Sequence, residues 1–387
     1  MFSATALIFL TVFIDLIGFG IVLPLLPGYA ASLHVSDTAI GLLVASFSLM
    51  QFLLAHWWGR LSDRIGRRPV LLVGLAGSAA SYLLFALAQD FWLLLLSRLI
   101  AGGMGATVNV AQAYLADITP AAGRARAMGL IGAAFGLGFV AGPALGGITS
   151  RFGDAAPGLT ASLLAALNLL LAWRWLPESL GAGPAAARGA PVHWSRFLAP
   201  LGAVGFSTVG FTVLYVVFPL QAERALGLDR HQTAYLFVLI GLVNAGIQAG
   251  LIGRLVTRFG ERPLMVCGAG LLALGLGLLP EAFAGGVERL PLLCAGLVVL
   301  SAGSAMIAPS AAAYVSRVAP AAEQGRALGI LQSVGAVARI GGPIMAGVVA
   351  GQAGARMAFL AASAAAGLAG VSALVAGRAN DPESLGT

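Results

Sequence analysis

One carboxylate, Asp15, sits about halfway along the first long apolar stretch of this chain, and two arginines, Arg98 and Arg339, sit well inside later ones. Charges at that depth are costly unless paired, hydrated or neutralised, and they mark function by default. Desolvation favours the protonated form of a carboxyl group, so Asp15 suits reversible proton uptake. The alternative is a structural carboxylate bonded to a neighbouring helix. Arg98 is the expected countercharge, since a buried guanidinium keeps its charge and acts on its neighbours electrostatically. Arg98, Gly102, Gly105, Asn109 and Gln112 are spaced 4, 3, 4 and 3, so they share one helical face, expected to line a cavity. An arginine bonded to backbone carbonyls is the alternative there. Arg339 shares a stripe with Gln332 and Gly335, and substrate contact and structural pairing stand level for it.

Other polar groups in apolar stretches are Gln51, Asn168, Asn244 and Gln248, with Asn244 and Gln248 four apart on one face. Phe211, Tyr215 and Phe218 form a similar stripe. A lining of aromatic rings and amides with few charges suits bulky, largely apolar solutes held by sparse polar anchors. Helix packing would use the same aromatic stripe.

The elements that position these groups follow from composition. Of 387 residues, 59% are hydrophobic and 10% charged, against about 25% charged in soluble domains. All 22 basic residues are arginine, which excludes a Walker A phosphate loop and lysine Schiff-base chemistry. The net charge of +7 is no nucleic-acid footprint in so apolar a chain. Cys267 and Cys294 fall in apolar stretches, and His34, His56, His193 and His231 show no metal-ligand spacing. The chain is expected to be no enzyme and to hold no metal or cofactor. With the first arginine at Arg60, a cleaved signal peptide is not expected, and residues 4–30 read as a retained span.

Twelve apolar stretches, from 4–30 to 356–377, are long enough to cross a bilayer. The longest connection, 177–196, is rich in Gly, Pro, Ala and Arg and reads as a linker between halves 1–176 and 197–387. With the N-terminus inside, fifteen arginines fall on the inner side and five on the outer, so both termini are expected in the cytoplasm. Residues 59–69, GRLSDRIGRRP, match 253–263, GRLVTRFGERP, at seven of eleven positions and an offset of 194. Residues from 113, AYLADITPAAGRARAMG, match those from 313, AYVSRVAPAAEQGRALG, at an offset of 200, and Gly142-Pro143 recurs as Gly342-Pro343. Parallel halves of this kind form a transporter architecture with its site near the midplane.

The turn Gly59-Arg-Leu-Ser-Asp63-Arg64-Ile-Gly66-Arg67-Arg68 resembles the G-x-x-x-D-R-x-G-R-R signature of the major facilitator superfamily. The fifth stretch carries Gly129, Gly138, Gly142, Pro143, Gly146 and Gly147 in a pattern resembling that of the proton-coupled exporters. Together with Asp15-x2-Gly18-x-Gly20-x3-Pro24-x2-Pro27 and Arg98-x3-Gly102-x2-Gly105, the chain is similar to twelve-helix drug:proton antiporters, most of all the tetracycline exporters. Such exporters carry a histidine in helix 8 and an acidic residue in helix 9, where this chain has Asn244 and Leu272. The resemblance therefore supports export more firmly than tetracycline.

The resemblance implies an all-α fold of two six-helix bundles related by a pseudo-two-fold axis, working by alternating access on the proton gradient. It implies that the 59–68 turn is a conformational latch, with Asp63 capping a helix of the other bundle, helix 11, and Arg67 pairing with Asp117. Gly138, Gly142 and Gly146 recur every four residues, leaving one face bare, and Pro143 can bend the helix. That face is expected to seal against the other bundle, with generic small-residue packing as the alternative. The expected partners are a small-molecule substrate, protons and the lipid bilayer, with no nucleic acid. The expected place is a bacterial inner membrane, as a monomer. Export of hydrophobic or amphiphilic molecules is the expected function. Export of an endogenous metabolite, or a transport-inactive receptor or lipid-handling scaffold, are its rivals.

Overall fold

The computed structural model describes residues 3–105, 107–119, 124–179, 197–319 and 324–375. The linker arginines Arg188 and Arg196 and the tail arginine Arg378 lie outside the described residues. Among the described residues there is no strand, and 12 helices are long and apolar enough to cross a membrane. Polar caps set several of their starts. Ser3 accepts from the Ala6 amide before α1 (Ala4–Ser32), Ser36 from Ala39 before α2 (Asp37–Ile65), and Asp90 from Leu93 before α4 (Phe91–Met104). Each satisfies an amide that the first turn leaves without a partner.

Three spans expected to be single helices are interrupted. Span 4 breaks after Met104 and resumes as α5 (Thr107–Ile118). Span 7 runs as α8 (Leu198–Phe211), a 3-10 turn Thr212–Tyr215 and α9 (Val217–Leu226). Span 8 runs as α10 (Arg230–Gly246), a π turn Ile247–Leu251 and α11 (Ile252–Phe259). Mid-helix 3-10 and π turns rotate the downstream face, and π turns cluster at functional sites.

By contacts the chain divides into two compact units, Met1–Ala185 with Leu228–Gly241, and Ala186–Gly227 with Leu242–Thr387. In the first, α1 packs on α6 (Arg124–Ser150) and on α7 (Ala156–Trp175), and α3 (Arg67–Leu87) packs on α7 and α4. In the second, α8 packs on α14 (Gln324–Ala353) and α15 (Ala355–Val375). Helix α12 (Glu261–Ala284) packs on α13 (Leu290–Val318) and α15. These pairings correspond helix by helix, so the sequence repeat is also a packing repeat.

Candidate functional site

Asp15 lies near the middle of α1 and keeps part of its surface exposed. Ser78 Oγ, from α3, donates to Asp15 Oδ1 at 3.2 Å. The buried Thr107 hydroxyl has no hydrogen-bond partner among the described residues. Gly18, three residues on, makes room for a ring: a Cβ there would stand 2.8 Å from Tyr82 Cε2.

The expected direct pairing of Asp15 with Arg98 is not formed. Arg98 is buried, its guanidinium 5.3 Å from the centre of the Phe85 ring, and its Nε donates to Ser97 Oγ at 3.3 Å. Its Nη2 is buried without a hydrogen-bond partner. Cation–π contact offsets part of the desolvation of a guanidinium.

The expected polar face on span 4 is divided by its break. Gly102 packs against the Phe47 carbonyl of α2, while Asn109 is exposed and Gln112 partly buried. Gln51 donates to the Gly105 carbonyl at 3.0 Å, bridging α2 to the interruption, so this amide is structural here. Trp58 Nε1 donates to the Gly103 carbonyl at 2.6 Å beside it. Asn168 is structural as well, donating to the Thr11 carbonyl at 2.8 Å. Asn109 instead faces a cavity of about 230 Å³ lined also by Trp58, Gly59, Ser62, Asp63 and Arg67.

The expected pairing of Arg67 with Asp117 is formed, with Nε 3.1 Å from Oδ2. Arg67 Nη1 also donates to Ser62 Oγ at 2.7 Å and lies 2.5 Å from Asp63 Oδ1. Asp63 is thus bonded within its own turn, and the residues 320–323 before α14, whose start was its expected partner, lie outside the described residues. Arg64 is exposed, and Arg68 Nη2 donates to the Trp173 carbonyl at 2.6 Å. Sequence reasoning missed Glu178. Its carboxylate accepts from the Arg67 amide at 2.8 Å and the Arg68 amide at 3.1 Å, capping α3 where the helix dipole favours an anion. Gly66 has φ 107° and a Cβ there would collide with Glu178, so the turn needs glycine twice over.

The bare face of α6 meets α1 of its own unit, the small-residue packing that stood as the alternative reading. A Cβ at Gly142 would stand 2.6 Å from Gly20 Cα, at Gly138 2.7 Å from Leu16 Cβ, and at Gly146 2.9 Å from the Ile21 carbonyl oxygen. Pro143 Cδ lies against Gly20 in the same interface. Gly129 has open space, and Gly147 alone of these glycines meets span 8, at Ala234 and His231. At that end of the unit Arg230 lies 4.5 Å over the Tyr29 ring and 2.5 Å from Asp154, while Arg151 bonds His231.

In the second unit, the expected stripe on span 7 is split by the 3-10 turn. Phe211 and Tyr215 stay in edge contact at 5.7 Å, but Phe218 is fully buried against Phe283 at 5.9 Å. Asn244 accepts from Ser304 Oγ at 3.3 Å. Gln248 is exposed within the π turn, whose wider winding makes a four-residue step from Asn244 less than a full turn. Gln332 and Arg339 are exposed on α14, and Leu272 is fully buried in α12. The latch has a repeat-related counterpart: Glu261 Oε2 lies 2.9 Å from Arg317 Nη2, and Arg262 Nε donates to the Ala373 carbonyl at 3.2 Å.

Twelve membrane-length helices among the described residues, in two repeats that each carry a charged turn, define a polytopic membrane protein. The chain belongs to the major facilitator superfamily, whose profile matches residues 8–202 and 201–386. It is 35% identical over 356 residues to the class C tetracycline resistance protein of Escherichia coli, covering 89% of this chain and 88% of that one. It is 32% identical over 416 residues to major facilitator superfamily domain-containing protein 10 of Homo sapiens, covering 91% and 88%. The crystal structure of the human organic anion transporter MFSD10 superposes with a TM-score of 0.71 at 29% identity, covering 96% of this chain and 98% of that one. Relatives and fold are those of transporters, in line with the expected absence of enzymatic chemistry.

Proposed function

We propose that this protein is a proton-coupled exporter of hydrophobic or amphiphilic small molecules, working by alternating access. The observation that carries the reading is Asp15. It is the one described carboxylate in the interior of a membrane-length helix, it keeps exposed surface, and it is held by a hydroxyl with no cation bonded to it. A carboxyl group so placed can exchange a proton without breaking an ion pair. One relative is named for resistance to tetracycline, a bulky small molecule, and another for transport of organic anions, which supports the reading. The arginine bias supports a cytoplasmic side for the 59–68 turn and both termini; a bacterial inner membrane and a monomeric working unit complete the reading.

The test is a drug panel, tetracycline included, on an efflux-deficient host expressing wild type or Asp15→Asn. Wild type should raise resistance to several amphiphilic compounds and Asp15→Asn to none. A wild type that changes sensitivity to no compound contradicts the reading.

A further inference from the structure

Arg339 lies near the midpoint of the 30-residue helix α14, exposed on the second unit, and forms no ion pair or hydrogen bond with any described residue. The described carboxylates of that unit are elsewhere. Glu223, Glu261, Glu281 and Glu288 all lie at or near helix ends, and Glu261 and Glu281 already face Arg317 and Arg356. A guanidinium stays charged, and a cation at mid-membrane depth needs water or a counter-ion. The surroundings leave it free to reach one. Gly335, one turn earlier, keeps clear of it, since a Cβ there would already stand 3.4 Å from Arg339 Nη1. Gln332, two turns earlier, is exposed on the same face. The 3-10 turn that carries Tyr215 packs on α14, and the Phe211 ring stands edge-on to Tyr215 at 5.7 Å.

The internal repeat sharpens the point. At the offset of 200 the first unit has Phe139, whose ring is 6.4 Å from Phe135 and 5.9 Å from Phe19. A position that serves aromatic packing in one repeat carries an unpaired cation in the other. Packing therefore does not require arginine here.

We propose that Arg339 is the anion anchor of the substrate site, so that the molecules taken are amphiphilic organic acids carrying a carboxylate. The guanidinium presents paired N–H donors that match the two carboxylate oxygens, and the Phe211 and Tyr215 rings supply an apolar wall. This rests on the transport reading for its physiological meaning, but the binding chemistry is measurable apart from it.

The experiment uses the purified full chain in lipid nanodiscs at pH 7.5, with pyrenebutyrate and its methyl ester as probes. They share one apolar body and differ in charge. Wild type should bind the acid about 10-fold more tightly than the ester, the scale of one good charge-assisted bond. Arg339→Gln should lose that preference while binding the ester as wild type does, which also shows that it folds. Arg339→Lys, the second variant, should keep a preference for the acid. The proposal is overturned if wild type binds neither probe or both equally. It is also overturned if Arg339→Gln retains the preference, or if Arg339→Lys binds the ester normally with none. If wild type shows the preference but moves neither probe in proteoliposomes under a pH gradient, the anchor stands and the transport reading fails.

Discussion

Arg67 Nε lies 3.1 Å from Asp117 Oδ2 in the first unit, and the residues related to this pair by the internal repeat, Glu261 and Arg317, form the same bond with the charges exchanged. The neighbouring arginine bonds the corresponding backbone carbonyl in each unit, Arg68 that of Trp173 and Arg262 that of Ala373. The geometry of the turn is therefore independent of which helix carries the positive charge. Only the first unit adds an acid at the fifth position of the turn, Asp63, where the second has Thr257.

Exchanging the charges in the first unit tests that independence. Arg67→Ala leaves the Asp117 carboxylate, 21% exposed, with only the Ser179 hydroxyl at 3.2 Å. The expected cost is about 2 kcal/mol, between exposed and buried ion pairs. Arg67→Glu with Asp117→Arg should stay unstable because the new carboxylate faces Asp63. Adding Asp63→Thr should recover most of the loss, read as apparent melting temperature in detergent. A double variant as stable as the triple would contradict the repulsion.

The cap on α3 makes a second prediction. Glu178→Ala removes the acceptor for the Arg67 and Arg68 amides and should cost about 1–2 kcal/mol. Gly66→Ala should cost more, since it adds strain at φ 107° to a collision with the same carboxylate. Combining it with Glu178→Ala should relieve the collision and leave the backbone strain, so the two losses are expected to be less than additive. Melting of the four proteins measures the cycle.

Glycines of one motif should respond in opposite ways. Gly142→Ala places a methyl 2.6 Å from the Gly20 backbone, which no rotamer change relieves. It should destabilise by about 1–3 kcal/mol. Gly129 has open space, so Gly129→Ala should be neutral or stabilise by up to about 1 kcal/mol through helix propensity. Equal melting temperatures for the two variants would refute the packing assignment.

The spans, the repeat and the Arg67–Asp117 pair were readable in the sequence because each leaves a local mark: an apolar run, a recurring string, a charged turn. The breaks at Met104, Thr212–Tyr215 and Ile247–Leu251 leave none, since hydropathy is blind to hydrogen-bond register. Those breaks redistribute Asn109, Phe218 and Gln248 away from the faces that ideal helices would give them. Glycine spacing identified the bare face of α6, but spacing names a face and not the helix that fills it, and α1 fills it here. Glu178 reaches an amide 111 residues away, and no spacing rule spans that distance. The ring of Tyr82 packs on Gly18, one turn from Asp15, and reads as ordinary packing in the sequence until Gly18 is seen to admit it.

Proton coupling through Asp15 is tested most directly by purified protein in liposomes, with an exported dye and a pH-sensitive probe followed together. Wild type should accumulate dye against its gradient when a pH gradient is imposed, and dye movement should carry protons the other way. Asp15→Asn should lose both while still exchanging dye down its own gradient, because the substrate site is intact. An Asp15→Asn protein that still accumulates dye on the pH gradient would contradict the account.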